Sequence, residues 1–325
     1  MDEIKNFYDN EACLDKPDEE QAEKLEQETD RYPDGTIRVV ANYLDGALHG
    51  VYKEFYPNGM IKEHSSWEKG KKQGMSATFF ENGQLKELGY LVGIESYDGV
   101  YLEFYENGVL KEQASFADGI EHGSFRARFK NGIVSEEGSY YHGKLDGECR
   151  IYYKNGQLRE KIDYYRGQFD GDYMIYYPNG QLKEQAEFVD DMRDGIRCTY
   201  YEDGTPKGMA TYKRDYRVGT YCKFYPNGQI KLSAEYTQDI PSELHGDLKV
   251  YSENGQLLYV AKYDQGDRIT AVFWDKQETN EQMEQRASTL FENTIALIRA
   301  EEATPRKITS HTIGQNVSDN ENIRK

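Results

Sequence analysis

Six glutamates, Glu63, Glu87, Glu112, Glu136, Glu160 and Glu184, recur every 24 or 25 residues. A carboxylate repeated at fixed spacing is raw material for acid–base hydrolysis, in which one group protonates a leaving atom while another activates water. Three histidines, His49, His122 and His245, are the other candidates for proton transfer. Each precedes a glycine and so reads first as a turn residue, and no Asp, Ser or Cys stands with them in the order of a nucleophilic triad. The chain has no glycine-rich phosphate loop, no HExxH helix and no zinc-type Cys/His spacing. The glutamates keep two readings: strand residues satisfied by nearby tyrosine hydroxyls or backbone, or an acidic stripe offered to a partner. No catalytic residue, metal ligand or cofactor is assigned.

The elements that carry these residues come from a repeat. Asn-Gly or Asp-Gly pairs end at Gly35, Gly59, Gly83, Gly108, Gly132, Gly156, Gly180, Gly204, Gly228 and Gly255, with gaps of 24, 24, 25, 24, 24, 24, 24, 24 and 27 residues. A constant period of this length marks a repeat architecture. Asn-Gly suits a two-residue type I′ hairpin turn, so Asn58-Gly59, Asn82-Gly83, Asn107-Gly108, Asn131-Gly132, Asn155-Gly156, Asn179-Gly180 and Asn227-Gly228 are the expected hairpin tips. A second series, Gly50, Gly74, Gly99, Gly123, Gly147, Gly171, Gly195, Gly219 and Gly246, keeps the same pace and opens each new strand.

Such turns fix register, because residues equidistant from the tip face one another. Six residues out, large then faces small: Tyr52 with Ser65, Tyr101 with Ala114, Phe125 with Gly138, Tyr173 with Ala186 and Tyr221 with Ala234. Cys149 with Ile162 inverts the sizes, and this compensation is what a filled interior requires. Two before the tip stands an aromatic in nine of the ten repeats, such as Tyr56, Tyr153 or Tyr177, expected to face an aliphatic such as Ile61, Leu158 or Leu182. Three before it another ring recurs, expected to lie under a cation on a solvated opposite face: Phe55 with Lys62, Phe79 with Lys86, Phe104 with Lys111, Tyr152 with Arg159, Tyr176 with Lys183, Tyr200 with Lys207 and Phe224 with Lys231. Phe79, Phe104, Tyr152, Tyr176, Tyr200 and Phe224, with Glu112, Glu136, Glu160 and Glu184, are the candidate partner-binding residues.

The whole chain of 325 residues carries a net charge of −18, and residues 1–30 hold twelve acidic groups against three lysines. Nucleic acid and anionic lipid both need a basic footprint, so neither is an expected partner, whereas a basic protein is permitted. No apolar run is long enough to span a membrane, and the acidic start lacks the apolar core of a secretory signal; a cytoplasmic address is the expectation. Cys198 and Cys222 fall two strands apart, roughly 9 to 10 Å, too far for a disulfide. The resulting division is an acidic leader with a short helix at 1–30, β-hairpin repeats at 31–274, an amphipathic helix at 275–303 and a disordered tail at 304–325. The stripe of Met283, Ala287, Leu290, Phe291, Thr294, Leu297 and Ile298 reads either as a cap on the last hairpin, around Tyr259 and Tyr263, or as a partner-binding helix.

The expected fold is all-β: an elongated antiparallel β-hairpin meander or solenoid, a single twisted sheet of about ten hairpins with terminal helices. The unit GxYxxFYxNGQLKExxxFxxGxxxG, clearest at 152–188 in YYKNGQLREKIDYYRGQFDGDYMIYYPNGQLKEQAEF, resembles the MORN repeat in the longer variant carried by the YwqK family of bacterial antitoxins. The resemblance covers residues 31–266. It implies stacked hairpins and a role neutralising a toxin by direct binding, and with no catalytic set in the sequence the expected function is that of a non-catalytic protein-binding scaffold. The alternative it leaves is a scaffold at a membrane or cell structure. Pro206, in place of the aliphatic after Gly204, and Asp191 and Asp215, in place of turn glycines, depart from the pattern.

Overall fold

The computed structural model describes residues 25–92 and 96–273. The amphipathic segment, the tail and the leader as far as residue 24 lie outside the described residues; the end of the leader is strand Glu26–Arg31, paired with Ile37–Leu44, so the sheet starts ahead of residue 31. Those described form 24 β-strands and no helix. They belong to two compact units, one of Met1–Gly143 with Lys154–Gly156, the other of Lys144–Tyr153 with Gln157–Lys325. Within each, the strands run as an open antiparallel meander. Strand Ala47–Phe55 pairs with Ile37–Leu44 and Ile61–Glu68 in the first unit, and Gln168–Tyr176 with Leu158–Tyr165 and Leu182–Val189 in the second.

The deep register is the one predicted. Tyr52 pairs with Ser65, Tyr101 with Ala114, Phe125 with Gly138, Cys149 with Ile162, Tyr173 with Ala186 and Tyr221 with Ala234. Cys149 and Ile162 are each 1% exposed, so swapping large and small across one pair leaves the site filled. Near the tips, however, the turn type differs from expectation. Tyr177 N–H donates to Gln181 O at 2.8 Å and Gly180 N–H donates to Tyr177 O at 2.8 Å. Gly180 has φ +85° while Asn179 stays at negative φ. The loop therefore has three residues, a type I turn followed by a glycine that forms a G1 bulge. Proline at the first loop position, as in Pro57, Pro178 and Pro226, fits a type I turn because its ring presets φ.

The bulge shifts the pairing by one. Tyr176, not Tyr177, pairs with Leu182, and Phe55 pairs with Ile61 and Phe104 with Leu110 in the same way. The two-residue type I′ turns lie at the opposite end of the strands, where both central residues have positive φ: Asp45-Gly46, Lys69-Gly70, Asp118-Gly119, His142-Gly143, Arg166-Gly167 and Gln265-Gly266, with Asp190-Asp191 and Arg214-Asp215 in the same role. The second glycine series sits just beyond these turns. Gly171, at φ +114°, passes so close to its neighbour that an added Cβ would lie 2.9 Å from Asp163 Cβ, which explains why no larger residue stands there.

Within each unit, three columns of hydrogen bonds tie successive hairpins. Tyr32, Tyr56, Tyr105, Tyr153, Tyr177, Tyr201 and Tyr225 each donate the phenol O–H to a backbone carbonyl of the following hairpin at 2.8–2.9 Å. Asparagine at the tip uses both ends of its amide: Asn179 Oδ1 accepts from Gln181 N–H at 2.9 Å, and Asn179 Nδ2 donates to Glu202 O at 3.0 Å. Asp203 keeps only the first of these, accepting from Thr205 N–H at 2.8 Å, because a carboxylate has no hydrogen to give. At the type I′ end the glycine N–H reaches back, as in Gly70 to Leu48 O at 2.8 Å. Replacing Tyr177 by phenylalanine leaves the ring and deletes one rung. The expected cost is about 1 kcal/mol, read as a lower urea midpoint with an unchanged slope.

Candidate functional site

The aromatic candidates divide between core and half-exposed positions. Phe79 and Phe104 are buried in a cluster with Ala77, Leu85 and Leu102, against which Ile61, Leu88 and Leu110 pack. The expectation of a solvated face is therefore corrected here: the bulge brings the aliphatic after each tip onto the same side as these rings, and together they make a second apolar layer. Tyr152, Tyr176, Tyr200 and Phe224 are half-buried. The cations lie over a different ring from the one expected. Lys183, Lys207 and Lys231 stand 5.7, 5.6 and 5.4 Å from the centroids of Tyr177, Tyr201 and Tyr225. The same bulge is the cause, since it moves the cation one step relative to the facing strand.

The glutamates lie on the aromatic face, as strict alternation requires. In the first unit they make an acid-on-acid row across neighbouring strands, Glu54 opposite Glu63, Glu87 opposite Glu103 and Glu103 opposite Glu112. In the second unit the row alternates with aliphatics, Glu160 between Ile151 and Ile175, and Glu184 between Ile175 and Thr199. Like charges directly opposite destabilise a sheet, and bulge lysines offset this. Lys62 Nζ is 2.8 Å from Glu54 and Lys111 Nζ 2.7 Å from Glu103, while Lys72 Nζ is 2.9 Å from Glu63. In the second unit Arg159 Nε lies 3.0 Å from Glu160 and Arg197 Nε 2.7 Å from Glu184. Glu136 is buried and Glu112 half-buried. Burial first, then the carboxylates of Glu87, Glu103 and Glu112, hold the Tyr101 phenol above the usual tyrosine range; burial with Glu160 and Glu184 does the same to Tyr173. Cationic partners, rather than tyrosine hydroxyls or backbone, answer most of the stripe.

The histidines are not brought together. His49 lies in the strand Ala47–Phe55, His245 Nδ1 is 3.1 Å from Asp264 Oδ1 on the surface, and His122 packs its ring 5.3 Å from Tyr141 and 5.1 Å from His142. Among the described residues no three His, Cys, Asp or Glu are grouped to hold a metal. Cys149, Cys198 and Cys222 are free thiols, with Cys198 and Cys222 on either side of Met209.

Two features have no counterpart in the sequence reading. Arg193 and Arg217, 5% and 4% exposed, stand where earlier hairpins carry Leu145 and Phe169. Arg217 lies 4.3 Å from the Tyr221 ring centroid, with Tyr212 and Tyr236 at 5.7 and 5.5 Å, and donates to the hydroxyls of Tyr212 at 3.3 Å and Tyr236 at 3.2 Å. Arg193 lies 4.4 Å from the Tyr212 ring and pairs with Asp215 at 2.8 Å. The second feature is a set of exposed apolar side chains at the type I′ turns. In the second unit Tyr165 is 53% exposed, Val189 48% and Tyr216 43%, on successive hairpins; in the first, Ile120 and Tyr141 occupy the same level. Their signal was a large apolar residue next to a turn pair, where a solvated strand end has no core to fill.

No curated protein matches the chain. Solved structures with which it aligns include a TcdB2-TccC3-Cdc42 complex, with 9% identity over 78% of this chain and 17% of that one at a TM-score of 0.19. A Photorhabdus luminescens Tc holotoxin pore gives 10% identity over 78% and 15% at 0.18, and a porin-like protein from Bacteroides uniformis 10% over 76% and 93% at 0.15. The chain spans less than a fifth of the two toxin-complex chains it is aligned with. The MORN repeat variant matches seven times, at residues 48–69, 97–118, 145–165, 169–190, 193–214, 217–238 and 244–265. With seven such units laid out as antiparallel hairpins, the chain is a MORN-variant repeat protein built as a β scaffold.

Proposed function

We propose that this scaffold is a non-catalytic protein-binding module, an antitoxin or immunity protein that neutralises a toxin by direct contact. The row of exposed apolar side chains at the type I′ turns, Tyr165, Val189 and Tyr216, carries the reading: successive hairpins present one apolar group each at a level where the sheet needs none. Apolar groups clustered on a polar surface mark interaction sites. The half-buried rings Tyr152, Tyr176, Tyr200 and Phe224 add aromatic area of the kind that anchors partners, and a net charge of −18 favours a basic one. The same charge weighs against the rival scaffold role at an anionic membrane.

The test is co-expression with the product of the adjacent gene. Growth rescued by the wild-type chain, and at least about tenfold weaker binding by the triple variant Tyr165→Ala, Val189→Ala, Tyr216→Ala with an unchanged circular dichroism spectrum, is expected. A harmless neighbour that does not bind, or a triple variant that binds as tightly as wild type, overturns the respective part of the reading.

A further inference from the structure

Two rows of side chains stand next to each other on one face of the second unit. The first is acidic and crosses four neighbouring strands, Glu148 opposite Asp163 and Asp172 opposite Glu187. The second is apolar. Tyr165 and Val189, 53% and 48% exposed, stand two residues beyond Asp163 and Glu187 on the same strands and therefore on the same face, about 7 Å away. Ile196, 51% exposed and opposite Thr211, ends the acidic row on the following strand.

Folding does not call for these carboxylates. Like charges directly opposite destabilise a sheet, and among the described residues two cations answer the four. Arg150 pairs with Glu148, and Lys161 Nζ lies 3.1 Å from Glu148 and 3.6 Å from Asp172. Asp163 and Glu187 have no ion-pair partner among the described residues. In the first unit the same row of described residues carries no charge, with Val51 opposite Ser66, Val100 opposite Ser115 and Ser124 opposite Ser139. The seat itself takes serine: Ser66 and Ser115 lie against Gly74 and Gly123 as Asp163 and Glu187 lie against Gly171 and Gly195. Asp163 Oδ2 accepts the N–H of Asp172 at 3.1 Å, a bond that a serine hydroxyl can also accept.

We propose that this face docks a basic amphipathic helix of a protein partner, with apolar side chains on Tyr165, Val189 and Ile196 and lysines or arginines on Asp163 and Glu187. The proposal rests on the protein-binding reading above and supplies the chemistry of the partner. Exposed apolar groups give the contact its area, and the unpaired carboxylates select a basic occupant. An extended segment turns alternate side chains away from the sheet, whereas one helical face about 100° wide carries both kinds at once. From Glu148 to Ile196 the row spans about 19 Å, the length of about thirteen residues of helix.

A labelled peptide of leucine and lysine, about fourteen residues long with the two types on adjoining helical stripes, is the probe. Titrated with the full-length chain and followed by fluorescence anisotropy, it is expected to bind. The double variant Asp163→Ser, Glu187→Ser should bind it about tenfold more weakly while its urea midpoint stays level or rises. Glu81→Ser with Glu106→Ser, which removes the same charge from exposed tips of the first unit, should change binding by less than about twofold. Equal weakening in the two double variants, no binding, or a lower urea midpoint for Asp163→Ser, Glu187→Ser overturns the proposal. So does a dimer of the chain alone that this variant dissolves, since a second copy would then be the occupant. Rescue of growth without peptide binding keeps the antitoxin reading and loses this one; peptide binding weakened in the variant, beside a harmless neighbouring gene product, does the reverse.

Discussion

Tyr221→Ala is expected to destabilise the second unit by about 3–5 kcal/mol, the range for removing a fully buried ring. Tyr221 is 2% exposed and lies opposite Ala234, which is fully buried and whose methyl group is too small to fill the void. The ring also faces Arg217 at 4.3 Å, so its loss strips one wall from a guanidinium taken out of water. Restoring volume from the other strand separates these causes. Ala234→Leu in the Tyr221→Ala background should recover part of the loss, as Ile162 does opposite Cys149, but not the part owed to Arg217. Urea denaturation of both variants measures the split, and an Ala234→Leu rescue that returns full stability would show that the ring's contact with Arg217 contributes nothing.

Asp215→Gly is the second large effect, and it opposes what the repeat pattern advises. Most type I′ turns in the chain have glycine at this place, so a consensus argument makes the change stabilising. The structure makes it costly. Asp215 Oδ1 accepts from both the backbone N–H of Arg193 at 3.1 Å and its Nε at 2.8 Å. Arg193 is 5% exposed, and removing the partner of a buried charge costs about 3–5 kcal/mol. Asp215 is itself about one-third exposed, which lowers the expectation to about 2 kcal/mol after solvent screening. Relief of its positive φ returns only a fraction. Asp215→Asn, which keeps an oxygen for the backbone N–H but no charge, should fall between. A measured gain in stability for Asp215→Gly would refute the pairing.

The period, the strand order within each unit and the large-against-small pairs were legible because they depend on spacing alone. Tyr52 with Ser65 and Cys149 with Ile162 keep the register counted from the tip because a second shift, between Glu54 and Phe55 in one hairpin and between Ile151 and Tyr152 in the other, restores the residue that the tip displaces. The loop itself was misassigned, because Asn-Gly serves both a two-residue type I′ turn and a three-residue loop closed by a G1 bulge. Pro57, Pro178 and Pro226 were the residues that distinguished the two. One misplaced residue then moved the cations onto the wrong rings and left Phe79 and Phe104 on a face taken as wet. The Glu stripe was placed on the correct side, but its partners were not visible, since Lys72 and Arg197 come from neighbouring hairpins. The buried arginines were harder still. Nothing in local patterning marks Arg193 or Arg217 as interior, and only the column of Leu145 and Phe169 at the same spacing carried the hint.

The phenol columns have one sense: every donor sits in the earlier hairpin and every acceptor in the later one. A ribosome that emits this chain therefore presents each hydroxyl before the carbonyl it needs, and each hairpin arrives at a template already waiting. The longer step between Tyr225 and Tyr251 O, 26 residues against 23 elsewhere, still closes at 2.8 Å, because Thr237–Leu244 loops out the excess. Duplicating or excising a whole unit would leave every surviving hydroxyl facing an acceptor, so length is a trait such a gene can change by unequal recombination without redesigning any joint.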